Sequence, residues 1–217
     1  FLQAERELKG SGIALFKMGT TGTPTIEEWL LNILPKKSEV GVDARLFSMN
    51  QLEIMEQKLH PKKITLKHIA NIGTKGWENR PRLPKDPVYI HDEEIAGKSI
   101  GTKLGELQNQ LKEAGATVTI LSALDEIAWL FNLRGSDVAF NPVFYAYAMV
   151  YLDRVLLFVD GSKLPPIVLR TLKAAEVHIF EYEELGHVVK NFSKKERVLI
   201  DPARTSHATA GMIPEDC

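Results

Sequence analysis

Six histidines, at positions 60, 68, 91, 178, 187 and 207, are the side chains best suited to hold a metal ion, and their spacing does not bring them together. A metal site needs several ligands converging on one point, as HExxH achieves by setting two imidazoles one helical turn apart. His178 and His187 fall on different expected elements, and the one cysteine, Cys217, stands alone at the end of the chain. Ser206, His207 and Asp201 are the residue types of a nucleophilic triad. Adjacent side chains on one helix point different ways, however, and no nucleophile elbow frames the serine. Gly10 with Gly12, and Gly19 with Gly22, lack the further Gly or Lys of a phosphate-cradling loop. Asp92-Glu93-Glu94 and Glu183-Glu184 read as solvated faces or helix N-termini. Local motifs thus assign no catalytic and no metal-binding residue.

One segment concentrates polar chemistry. Asn132-Leu133-Arg134-Gly135-Ser136-Asp137-Val138-Ala139-Phe140-Asn141-Pro142 sets an arginine, an aspartate and two asparagines at the edge of the most apolar part of the chain. Loops on a rigid scaffold often carry binding residues. An arginine here could grip a carboxylate or carbonyl supplied from outside the chain. Arg134 is therefore the leading candidate for contact with a substrate, with Asn132, Asp137 and Asn141 beside it. The structural alternative pairs Asp137 with Arg134, or uses both to cap neighbouring elements.

The elements that must position this loop alternate between short β-rich runs and helical patterns, the pattern of an α/β chain. Strands are expected at 13–18, 40–43 and 63–67, with helices at 24–34 and from Ser48, which forms a capping box with Gln51, to about 59. From 72 to 96 the periodicity dissolves among Gly73, Gly76, Pro81, Pro84 and Pro87, which makes a linker, although 88–91 could be a short strand. Leu104, Leu107, Leu111 and Ala114 then form a helical stripe ended by Gly115. A strand at 118–121 and a helix capped by Ser122 with Asp125 lead into the polar loop. The runs 144–152 and 155–159, hinged at Asp153-Arg154, form a hairpin. Helix 167–175, strand 177–182, helix 184–192, strand 197–201 and a helical turn from Ser206 complete the chain.

That closing series repeats an earlier one. Offset by 158 residues, WLLNILPKKSEVGVDARLFS (29–48) lies over HVVKNFSKKERVLIDPARTS, matching Lys36/Lys194, Lys37/Lys195, Val40/Val198, Asp43/Asp201 and Ser48/Ser206. Offset by 164, Arg6/Arg170, Leu8/Leu172, Lys9/Lys173 and Phe16/Phe180 coincide. Two units of one design follow each other, and the first is expected to begin about halfway through. Truncation at that point should leave an uncovered apolar face and unpaired strand edges.

Composition limits the partners. Among 217 residues, 27 Lys and Arg against 28 Asp and Glu leave a net charge of −1, which supplies no basic field for nucleic acid. No apolar run approaches the roughly 20 residues of a membrane span. At typical domain sizes of about 150 residues, the length suggests one domain and part of a second.

The block ALDEIAWLFNLRGSDVAFNPVFYAYA (123–148) resembles the corresponding stretch of the cytosolic, three-domain type of Xaa-Pro aminopeptidase. The likeness extends to PTIEEWLLNILP and VGVD within 24–43, Trp77 with Arg80-Pro81 and Pro84, His91, Ala96-Gly97-Lys98-Ser99, and LFVDGSK at 157–163. The resemblance implies an α/β fold, a creatinase N-terminal-like (ribonuclease-H-like) mixed sheet flanked by helices, in one partial and one nearly complete copy. Residues 1–75 would be the C-terminal half of the first domain, 76–96 a linker and 97–217 the second domain.

It further implies that catalysis belongs to a C-terminal pita-bread domain outside these residues. That domain would hold two divalent ions, usually manganese, on Asp, His and Glu ligands, and cleave peptides with proline in second position. This chain would be a non-catalytic N-terminal part that shapes active-site access and assembly in a cytoplasmic homo-oligomer. Its partners would be the catalytic domain and the peptide, not nucleic acid or membrane. The family's Asp-Gly-Arg-Tyr run, whose arginine binds substrate, would immediately precede Phe1, so no established catalytic or metal residue carries over. The other class the resemblance leaves open is a creatinase-like protein-binding module without peptidase activity, as in histone-chaperone subunits.

Overall fold

The structure, a computed structural model, describes residues 1–71, 73–74 and 77–217. Ile72 and Gly76, both assigned to the linker from sequence, lie outside the described residues, as does the expected boundary at 75–76. The chain forms two compact units. One comprises Phe1–Asp43 and 51–71, the other Ala44–Asn50 and the described residues from 73 to Cys217.

In the smaller unit, α1 (Leu2–Glu7) precedes α2 (Ile26–Ile33), whose N-cap Thr25 forms a capping box with Glu28. β1 (Glu39–Val42) and β2 (Thr65–His68) pair in parallel, Glu39 opposite Thr65 and Val42 opposite His68. Most of α3 (Met49–Leu59) belongs here and buries Leu52, Met55 and Leu59. Residues 13–18, expected as a strand, are not one. The described residues supply no strand beside them to accept and donate their backbone hydrogen bonds, and Phe16 and Met18 remain exposed. Phe16 instead meets Trp29 edge to face, ring centres 6.2 Å apart.

The larger unit is built on five strands: β4 (Val118–Leu121), β6 (Tyr147–Tyr151), β7 (Val155–Phe158), β8 (Val177–Phe180) and β9 (Val198–Leu199), in the order β8-β7-β6-β4-β9. β6 is antiparallel to both neighbours, and the other four run in one direction. The hairpin expected around Asp153-Arg154 forms, Tyr147 opposite Phe158 and Val150 opposite Val155. Both faces of the sheet are covered, which is why β6 and β7 read as continuous apolar runs. Ala148 and Val150 join one core with Leu104 and Leu111 of α5 (Ile100–Glu113), which the one-turn α4 (Glu93–Ala96) precedes, and with Ile127 of α6 (Leu124–Leu130) and Leu172 of α7 (Pro166–Ala174). Met149 and Tyr151 join the other with Val189 of α8 (Leu185–Lys190) and Phe192. The alternation follows from the two-residue repeat of a strand.

Three details differ from the sequence reading. Ser122 does not cap α6. The N-cap is Ala123, and the Ser122 hydroxyl donates 82 residues away, to the Arg204 carbonyl at 3.0 Å. The polar loop contains a strand, β5 (Leu133–Arg134), paired antiparallel with β3 (Tyr89–Ile90). The Val88 and His91 amides extend that attachment, donating to the carbonyls of Lys163 and Asn132. β8 stops at Phe180, and Tyr182–Glu184 turns as a short 3-10 helix.

Residues 44–50 join the larger unit through bonds that come in matched pairs. The Met49 amide donates to Thr205 at 3.1 Å, and the His207 amide to Phe47 at 2.9 Å; Asn50 donates to Pro202 at 3.1 Å, and Ala208 to Ala44 at 3.0 Å. Each donor and acceptor has its counterpart 158 residues along, the offset of the sequence repeat, and Ser48 faces Ser206 in an isolated bridge. The contact is isologous: the same surface serves on both sides. The short α9 (His207–Ala210) opens there, capped by the Ser206 hydroxyl.

Gly135 is held against this scaffold so closely that a Cβ would lie 2.7 Å from the Cβ of fully buried Phe144 and 3.1 Å from the Val143 carbonyl. Gly135→Ala is expected to lower unfolding stability by about 1–3 kcal/mol through overpacking. Urea denaturation measures it, and an unchanged midpoint contradicts the tight fit.

Candidate functional site

The four residues singled out in the polar loop occupy different environments. Arg134 is half-buried on β5, and its Nη1 donates to the carbonyls of Ala128 at 3.0 Å and Leu133 at 2.8 Å. Those bonds fix the guanidinium while leaving its other donors uncommitted to these carbonyls. Asn132 is buried with φ of 50°, left-handed backbone that asparagine tolerates better than most residues. Its Oδ1 accepts from Lys103 Nζ at 2.6 Å, and its Nδ2 donates to the Lys98 carbonyl at 2.9 Å.

Lys103 is only 1% exposed and is a feature the sequence reading missed. Its ammonium also donates to the Trp129 carbonyl at 2.6 Å and lies 4.3 Å from the centre of the Trp129 ring. Burial pushes its pKa down, and the positive charges of Arg134 and Lys98 add to that effect. Carbonyl oxygens and an aromatic face hold this cation where a carboxylate would usually be expected. Asn132 and Arg134 thus share one neighbourhood, organised by α5 and α6.

Asp137 points inward. Its Oδ2 accepts from the Tyr145 amide at 2.7 Å and from the ammonium of Lys163, with both charged side chains sealed from solvent. Its Oδ1 is buried and has no hydrogen-bond partner among the described residues. The expected alternative, an Asp137–Arg134 pair, is not what forms. Lys163 comes from the turn after β7, 26 residues away, and reaches the carboxylate first. Asn141 sits on the exposed turn, its amide donating to Val138 at 3.1 Å and its carbonyl accepting from Val143 at 2.8 Å. Phe140, between them, has φ of 62° and stands fully in solvent.

The arrangement can orient a guanidinium and present a rigid turn. Among the described residues no group of three or more His, Cys, Asp or Glu side chains is placed to hold a metal ion, and no helix is long and apolar enough to cross a membrane.

Breaking the buried pair should be costly. Lys163→Met leaves the Asp137 carboxylate uncompensated and is expected to lower stability by about 3–5 kcal/mol, whereas Lys163→Met with Asp137→Leu should recover most of the loss. Denaturant unfolding of the two variants checks this; equal losses would show that the charge itself does not matter.

Comparison with known proteins places this geometry. The family model for the Creatinase/Prolidase N-terminal domain matches residues 79–217. Aminopeptidase P2 of Arabidopsis thaliana is 36% identical over 221 aligned positions, which cover 100% of this chain and 31% of that protein. Xaa-Pro aminopeptidase 1 of Dictyostelium discoideum is 37% identical, covering 93% of this chain and 34% of its own length. The crystal structure of X-prolyl aminopeptidase from Caenorhabditis elegans, described as a cytosolic enzyme with a di-nuclear active site, superposes with a TM-score of 0.91 at 28% identity. It covers 100% of this chain, which spans 36% of that one. The chain therefore spans about a third of the length of the relatives it matches.

Proposed function

The chain belongs to the Creatinase/Prolidase N-terminal domain family, and from that premise we propose that it is the non-catalytic N-terminal part of a Xaa-Pro aminopeptidase. The observation that carries the reading is the match to an X-prolyl aminopeptidase over 100% of this chain but 36% of the other, at a TM-score of 0.91. The complete protein would release the N-terminal residue from peptides with proline in second position, working in the cytoplasm as a homo-oligomer. Chemistry would rest on two manganese ions held by a catalytic domain outside these residues, and such ions would supply activation of a water for hydrolysis. Residues 1–75 would close one creatinase-like domain, 76–96 would link, and 97–217 would form the second; the matched hydrogen bonds 158 residues apart support this duplication.

In that assembly the second domain shapes the active-site mouth. Arg134 is the residue suited to meet the substrate main chain, since two carbonyl contacts set its direction and a preset fork binds with less loss of side-chain freedom. Asn132 and Asp137 would act through it, as positioning residues that hold the strand and the turn. Asn141 would stand at the rim.

Two outcomes follow. Arg134→Ala in the complete enzyme should raise KM or depress kcat/KM for X-Pro peptides about tenfold, the loss of one charge-assisted contact, and unchanged kinetics in a folded variant would reject the role. The 217-residue chain alone should release no N-terminal residue from X-Pro peptides with added manganese, since no ligand cluster occurs among its described residues. Metal-dependent release would overturn the assignment of chemistry to another domain.

A further inference from the structure

Tyr89 is 49% exposed on β3, and among the described residues neither its ring nor its phenol has a partner. A half-exposed tyrosine is ordinary by itself, but the place of this one is not. The strand register sets it directly opposite Arg134. Side chains so opposed lie about 4.5–5.5 Å apart at Cβ. The next pair in register, Ile90 with Leu133, packs into the core. By the two-residue alternation of a strand, Tyr89 and Arg134 therefore share the outward face.

A guanidinium beside a tyrosine can satisfy itself by lying over the ring. Arg134 does not do so. Its Nη1 is held by the carbonyls of Ala128 and Leu133, and the cation–π contacts among the described residues join other pairs. The face of the Tyr89 ring and its hydroxyl are thus both open to a ligand. The backbone that presents them is fixed on either side, because the Val88 amide donates to the Lys163 carbonyl and the His91 amide to the Asn132 carbonyl, each at 2.8 Å. Lys163 and Asn132 are themselves locked by the buried contacts with Asp137 and Lys103. With two side-chain torsions to order, a tyrosine on such a ribbon binds at low entropic cost.

Resting on the peptidase reading above, we propose that Tyr89 recognises the second residue of the substrate: its ring packs on the proline ring, and its hydroxyl donates to the carbonyl of that proline. Proline brings a compact apolar ring and no N–H. What identifies it is therefore a flat apolar surface together with donors for carbonyls alone. An aromatic face with a phenolic O–H supplies both, and aromatic surfaces are the recurring platform for proline-containing segments. Tyr89 would thus set which residue is accepted, beside an Arg134 that meets the main chain.

Steady-state kinetics of the complete enzyme test this. Tyr89→Ala should raise KM for X-Pro peptides about tenfold and leave kcat within about twofold, because the packing is made in ground state and transition state alike. Tyr89→Phe keeps the ring and should hold KM within about threefold of wild type, the loss of one hydrogen bond. An X-Ala peptide, used as a competitor so that its own cleavage is not required, should bind wild type and Tyr89→Ala nearly alike. The proposal is overturned, with the peptidase reading left standing, if Tyr89→Ala leaves KM unchanged, weakens the X-Ala competitor as much as the X-Pro substrate, or is matched in its loss by Tyr89→Phe. A wild-type complete protein that does not turn over X-Pro peptides overturns both.

Discussion

The ion pair between Lys163 and Asp137 is the contact on which the candidate site depends. Removing both charges from water is costly, so the pair can persist only with close geometry and additional hydrogen bonds. Here the Tyr145 amide provides one such bond, while the backbone carbonyl of Lys163 accepts from Val88. One lysine thereby joins the turn after β7, the polar loop and the approach to β3. The second buried lysine, Lys103, ties α5 to the start of the same loop through Asn132 and Trp129. A segment with almost no regular structure is thus immobilised by two cations from its neighbours. That is how Arg134 and the Phe140 turn acquire fixed positions without a longer strand or helix.

The sheet gives these contacts something rigid to act against. Its central strands are buried on both faces, so the edge carrying the loops rests on two packed cores rather than one. The reciprocal bonds between 44–50 and 202–208 add a contact of different character, two equivalent turns each donating to the other. Such self-complementarity is usual between identical subunits, and within one chain it is the expected trace of a duplicated unit.

Much of the scaffold was legible in the sequence because local physics determines it. The hairpin at Asp153-Arg154 and the left-handed Gly115 at the end of α5 follow from apolar runs and turn chemistry. Failures came where a partner distant in sequence decides. Residues 13–18 have the composition of a strand but, among the described residues, no strand to pair with. Ser122 has a hydroxyl suited to capping, yet the Arg204 carbonyl competes for it. Asp137 was placed correctly in an unusual loop, while its partner was unreadable, because a lysine 26 residues away becomes near only once β7 is folded. Lys103 was invisible for a related reason: in sequence it resembles any solvated helix lysine, and only burial beside Trp129 gives it a structural task.

The functional account rests on relatives about three times longer than this chain. Its central claim is that the chemistry lies beyond this chain, in a domain whose mouth the immobilised loop helps to form. Sequencing the complete transcript is the most direct measurement. The account predicts that the reading frame continues past Cys217 into a domain carrying the Asp, Asp, His, Glu and Glu ligands of a dinuclear metal site. A reading frame that continues without those ligands, or that stops, would contradict it.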